Sequence, residues 1–174
     1  KDTGGAPEND FVLGKEDIHM RRSPWRRAIF CFVLILFGQV GLADDLAIAQ
    51  AKELFERFQR LERAYDPKVA DIYADEARIV SIRKSPFGRP DRKMELSGAQ
   101  YKAIIRNAMG TARARGDVST YSAVAYSPEG ERVRIECTRY SELKKYSSPY
   151  SLLVAPTEQG EWLIFEEYSE SKPF

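Results

Sequence analysis

Ten consecutive apolar residues, 28–37 (AIFCFVLILF), stand behind Arg21, Arg22, Arg26 and Arg27, and this pairing decides how much of the chain is left to form a domain. Gly38, Gln39 and Gly41 then interrupt the run, while Gly41 and Ala43 put small residues three and one before Asp44. A basic start, a short apolar stretch and small residues before a cut are the pattern of a secretory signal peptide, here residues 20–43. A membrane-crossing helix needs about 20 apolar residues, whereas runs of about 10–14 fit signal peptides. The alternative is an uncleaved anchor, which keeps the arginines cytoplasmic and carries the rest of the chain across. Either way residues 44–174 are expected to work outside the cytosol, in the periplasm or secreted. Residues 1–19 precede Met20, are polar and aperiodic, and read as a disordered upstream or expression-derived segment.

Residues 44–174 suffice for one ordinary domain with a real hydrophobic core. They carry equal numbers of basic and acidic side chains. A balanced charge argues against nucleic acid as a partner, because dedicated binders show a basic excess. Locally, residues 78–93 are basic, which reads either as a weak anion site or as a solvated loop. Cys137 is the only cysteine in this part, so no internal disulfide forms, and its strand parity with Val133 and Ile135 marks a buried, inert thiol.

Residues 47–65 predict an amphipathic helix, with Ala47, Ala51, Leu54, Phe58, Leu61 and Tyr65 recurring at steps of four and three. Asp66-Pro67 starts a second, short helix, Asp66 as its cap and Pro67 in its first position, burying Val69, Ile72 and Tyr73 and ending near Asp75. Residues 77–84 are β-rich, and 85–93, with Pro86, Gly88 and Pro90, predict a loop. Ser97 and Gln100 form a capping box for a third helix with Tyr101, Ile104, Ile105, Ala108 and Met109 on one face. Residues 118–127, 131–140, 150–155 and 161–168 then read as four strands in two hairpins, joined by a Lys/Tyr/Ser-rich connection over 140–150. The expected fold class is α+β: three helices packed on a curved, mainly antiparallel sheet.

This order of elements, together with residues 70–79 (ADIYADEARI), resembles the nuclear-transport-factor-2-like superfamily, the cone-shaped, cystatin-like fold shared with ketosteroid isomerase, scytalone dehydratase and polyketide cyclases. The resemblance spans about residues 46–168 and implies a fold and a pocket. In the isomerases an aspartate base occupies the strand after the acidic turn, and matching ADEARIVS to that pattern puts Ser81 there. A serine takes no proton at neutral pH without a base beside it. The dehydratases and cyclases use histidine or aspartate pairs, and residues 44–174 contain no histidine.

The sequence also lacks a metal-spaced His/Cys/Asp cluster, a glycine-rich phosphate loop and a nucleophile elbow, so no cofactor, metal or catalytic residue is assigned. Asp75 and Glu76 read as turn residues. Candidate ligand-binding residues are the polar side chains that can point into a cone: Arg139, which shares parity with Val133 and Ile135, Glu166, which shares parity with Trp162 and Ile164, and Ser81, Tyr73, Tyr101 and Tyr126. Tyr121 belongs with these tyrosines. A facing Arg139–Glu166 pair is either a structural ion pair or a ligand clamp.

The reading is an exported, non-catalytic binding module for a small molecule or an envelope protein, with a homodimer through the sheet face as the expected assembly. An enzyme with an unfamiliar Arg/Glu/Tyr pocket, isomerase- or dehydratase-like, is one alternative. A membrane-anchored scaffold subunit of an envelope complex is the other, since some secretion-system components resemble this plan.

Overall fold

The computed structural model describes residues 25–86 and 89–172, with side chains from residue 43 onward. The readings of residues 1–19 and of the cleavage signal at 20–43 rest on sequence outside the described side chains. Two units are distinguished, Lys1–Phe37 and Gly38–Phe174. Among the described residues no helix is long and apolar enough to cross a membrane.

Helix α1 (Trp25–Arg63) ends where Tyr65 takes a left-handed backbone, φ 54°. Its Ala51, Leu54, Phe55 and Phe58 are buried, as the three- and four-residue spacing demands, and Lys52, Glu53, Glu56, Arg57, Arg60 and Arg63 are exposed. The Asp66 carboxylate then accepts from the Lys68 amide at 2.9 Å and caps a 3₁₀ turn, Pro67–Ile72. This turn is shorter than predicted. Tyr73 already belongs to strand β1 (Tyr73–Arg83).

Strand β2 (Arg92–Ser97) corrects the sequence reading, which placed 85–93 in a loop and no second strand between that loop and the third helix. It is an edge strand whose residues are almost all exposed, so it lacks the alternation that marks a half-buried strand. Helix α2 (Gly98–Arg115) has the expected capping box between Ser97 and Gln100 and closes on Gly116 in the left-handed region, φ 64°. Its buried stripe is narrow, running through Tyr101, Ile105 and Met109. Ile104, expected on that face, is 47% exposed.

Strands β3 (Ser119–Glu129), β4 (Arg132–Ser141), β5 (Tyr146–Pro156) and β6 (Trp162–Ser171) complete a six-stranded sheet of order β2-β1-β6-β5-β4-β3. All neighbours are antiparallel except β1 and β6, which are parallel. The connection predicted over 140–150 shrinks to a turn at 142–145, because Tyr146–Tyr150 extend β5 and bury Ser148 and Tyr150. The register shifts in β1 between Tyr73 and Arg78, in β3 between Ser122 and Ala125, and between β5 and β6 at Leu153/Val154. Such bulges bend the sheet and re-aim side chains. The sheet remains open, with β2 and β3 at its edges.

One face holds the core: Ile79 of β1, Ile164 of β6, Leu152 and Val154 of β5, and Val133 and Ile135 of β4 are at most 2% exposed. Phe55 and Phe58 of α1 pack on this face, their rings 5.5 and 5.8 Å from that of Tyr121 on β3. Helix α2 is fastened to the region around β1 by Lys102–Asp75 at 2.8 Å and Arg106–Asp71 at 2.7 Å. The tightest approach is at Gly98, where a Cβ would lie 1.8 Å from the Ala74 carbonyl oxygen. That contact is with backbone and cannot rotate away. Gly98→Ala is therefore expected to destabilise the fold by about 2–3 kcal/mol, the usual cost of overpacking a tight site. Urea unfolding checks this, and an unchanged midpoint contradicts the close approach.

Candidate functional site

The concave face is not purely apolar. Glu167 on β6 is 4% exposed, and its carboxylate accepts hydrogen bonds from Tyr73 at 2.5 Å and Tyr101 at 3.2 Å. Tyr150 is a third hydroxyl partner. The three phenols come from β1, α2 and β5, so one carboxyl draws donors from three elements. Burial pushes the Glu167 carboxyl up, and the hydrogen bonds from Tyr73 and Tyr150 and the charge of Arg139 pull it down. The same burial and the neighbouring carboxylate hold all three phenols well above the usual tyrosine range.

Arg139 on β4 adjoins this cluster. Its guanidinium lies 5.4 Å from the centre of the Tyr150 ring, and Nη2 donates to the Glu170 carbonyl at 2.9 Å. Among the described residues it makes no ion pair with a carboxylate. Beside it is Glu62, from the last turn of α1, which accepts from the Tyr121 hydroxyl at 2.8 Å. Burial raises the Glu62 carboxyl from its ordinary 4.5 to about 7, against the opposing pull of the Tyr121 hydrogen bond and the Arg139 charge.

Glu62 and Arg139 share a pocket of about 200 Å³. Tyr65, Met109 and Ala112 supply its helical side, Asp117 and Ser119 the approach to β3, and Ser141, Lys144 and Tyr146 the β4–β5 end. A larger groove, lined by Arg78, Lys84, Lys93, Arg134 and Glu166 among others, has its cations neutralised. Arg78 and Lys93 pair with Glu95, Lys84 with Asp91 and Glu170, and Arg134 with Glu129 and Glu166. Within the basic stretch 78–93, Arg78, Lys84 and Lys93 are thus engaged in surface ion pairs. Among the described residues no group of three His, Cys, Asp or Glu side chains is arranged to hold a metal ion.

The sequence-derived candidates divide accordingly. Tyr73, Tyr101 and Arg139 converge on Glu167, and Tyr121 joins through Glu62. Glu166 does not face Arg139: it bonds Arg134 at 2.9 Å on the opposite side of the sheet. The reason is the bulge in β6, where Ile164 pairs with Val154 and Glu166 with Leu153, leaving Phe165 as the extra residue. One added residue reverses the parity, so Glu167 takes the interior position. Ser81 shares the interior face with Ile79 but lies opposite Ser169, outside the pocket. Tyr126 is also elsewhere, opposite Ile135, with the Lys52 ammonium 5.6 Å from its ring centre. Cys137 is half-buried, and burial lifts its thiol to about 11, as expected of an unreactive cysteine.

Glu62 and Glu167 were not singled out from sequence. Glu62 had a usable signal: it follows Phe55 by seven and Phe58 by four, which places a carboxyl on the apolar stripe of α1. Its raised value also sets a pH dependence. Below about 4.5 it is neutral in both folded and unfolded chains; between 4.5 and about 7 only the unfolded chain releases the proton. Stability therefore falls as pH rises through that window, by at most about 3 kcal/mol from this group. Denaturant unfolding of Glu62→Gln is expected to show a shallower decline than the unsubstituted chain over pH 4.5–7, the Glu167 share being common to both. Parallel declines would count against a strained Glu62.

No family model matches the sequence, and no curated protein matches it. Solved structures do. An NTF2-like protein of unknown function from Pseudomonas putida is similar over 69% of this chain and 82% of its own, at 15% identity and a TM-score of 0.50. An NTF2-like protein with a cystatin-like fold from Novosphingobium aromaticivorans is similar over 77% and 86%, at 14% identity and a TM-score of 0.51. One from Shewanella baltica, also of unknown function, is similar over 70% and 90%, at 8% identity and a TM-score of 0.50. At these identities the likeness is one of fold, and in fold the chain is a nuclear-transport-factor-2-like, cystatin-like α+β protein.

Proposed function

We propose that the protein is a binding module whose pocket between α1, α2 and the β4–β5 end takes a small polar molecule. The observation that carries this reading is Arg139, a half-buried guanidinium on the pocket wall that, among the described residues, has a carbonyl partner and no carboxylate in contact. A cation placed in a concave site usually has a counter-charge, and here none of the described residues provides one in contact. The pocket, about 200 Å³, lies below the usual span of drug-sized sites, so its ligand is small. The apolar run 28–37 supports export, with the module acting outside the cytosol.

One feature favours an enzyme as the second reading. The Glu62 carboxyl titrates near 7 at the pocket wall with the Tyr121 phenol on it, which suits a group that exchanges protons with a ligand. The two readings share the pocket and differ in whether a bound molecule is changed.

Ligand-observed NMR on the full chain against small neutral and anionic fragments tests both. Binding is expected, and it is expected to disappear in Ala112→Phe, which fills the pocket, and to weaken at least tenfold for anions in Arg139→Met. Hits that survive both substitutions contradict the assignment of the pocket. Conversion of a hit during the measurement, lost in Glu62→Gln, selects the enzyme.

A further inference from the structure

The pocket chemistry restricts the ligand further than its size does. Arg139 presents a planar fork of donors, one of which is taken by the Glu170 carbonyl, and one face of that plane lies against Tyr150. The free edge suits a planar acceptor with two oxygens, the geometry of a carboxylate. Besides Arg139 and Glu62, the pocket lining holds one further cation, Lys144, and one further carboxylate, Asp117.

Two protein carboxyls stand near Arg139, and neither pairs with it. Glu167 is committed to Tyr73, Tyr101 and Tyr150. Glu62 is turned to Tyr121, with Ser119 as a further hydroxyl partner. Its other neighbours are the Glu167 charge on β6, Asp117 before β3, Lys144 and Tyr146 at the β4–β5 end, and Arg113 of α2, which donates to the Ala64 carbonyl two residues on. A ligand carboxylate on Arg139 therefore arrives beside Glu62. Two carboxylates at one site cannot both stay ionised at modest cost, and the pair keeps a proton.

We propose that the pocket takes a small monocarboxylic acid as its anion, seated on the Arg139 guanidinium, with one proton taken from solvent and shared between the ligand carboxylate and the Glu62 carboxyl. This rests on the binding reading above and specifies its ligand class. The balance is simple: one anion and one proton enter, and no covalent bond forms or breaks. The position of Glu62, already close to half-protonated at neutral pH, lowers the cost of that uptake.

Propionate and benzoate are the probes, with propionamide and benzamide as neutral isosteres, titrated calorimetrically into the full chain from pH 6 to 8.5 in buffers of low and high ionisation enthalpy. The acids are expected to bind with uptake of close to one proton above pH 7.5, their affinity falling about tenfold per pH unit there. Glu62→Gln is expected to keep acid binding and lose both the proton uptake and the pH slope, and Arg139→Met to lose the acids. Acids that bind without proton uptake, or with a slope that Glu62→Gln leaves intact, overturn the shared proton while the pocket stands. Amides that bind in place of acids overturn the carboxylate class and again leave the pocket. Failure of acids and amides alike, with no fragment bound in the NMR screen, removes the binding reading itself.

Discussion

A carboxyl group can stay in a protein interior only if donors replace the water it leaves, and Glu167 meets that demand with phenols from β1, α2 and β5. Much of the concave face depends on this one requirement. Tyr73 must begin the first long strand, Tyr101 must stand on the inner stripe of α2, and Tyr150 must be drawn into the sheet rather than left in a connection. Each hydrogen bond also brings a ring, and the rings of Tyr73 and Tyr101 meet edge-on at 5.3 Å. The polar cluster is thereby part of the packing that holds helix and sheet together.

The cluster also organises the pocket. Because Glu167 is satisfied by phenols, it does not pair with Arg139, and because Glu62 is turned to Tyr121, it does not either. A cation without a contacting counter-ion and a carboxyl near neutrality are thus neighbours on one wall. Such a combination contributes little to stability, since a raised carboxyl costs free energy when ionised. Sites of this kind, where environments separate the protonation of adjacent groups, are commonly sites of binding or chemistry.

How much of this was legible in the sequence follows from which signals are local. The caps at Asp66 and Ser97 and the stripe of α1 are set by residues within one turn, and they were readable. The parallel pairing of β1 with β6 joins residues about ninety apart, and no local pattern encodes it, although resemblance of residues 70–79 to a known superfamily pointed to the right fold. Strand β2 was missed because an exposed edge needs no apolar alternation. The Glu166 assignment failed at one residue, the extra Phe165, which moved the interior carboxyl from Glu166 to Glu167. Parity arguments are only as good as the register, and a bulge leaves no mark in composition. Arg139, with an unbroken β4 register, was found by the same argument that misplaced Glu166.

The measurement that bears most directly on this account is a carbon-13 NMR titration of the Glu62 side-chain carboxyl in the full chain, assigned by comparison with Glu62→Gln. The expected midpoint is about 7, reflecting a carboxyl stripped of solvent beside Arg139 and Tyr121. A midpoint at the ordinary 4.5 would mean that water reaches Glu62 freely, and the pocket described here would lose its central feature.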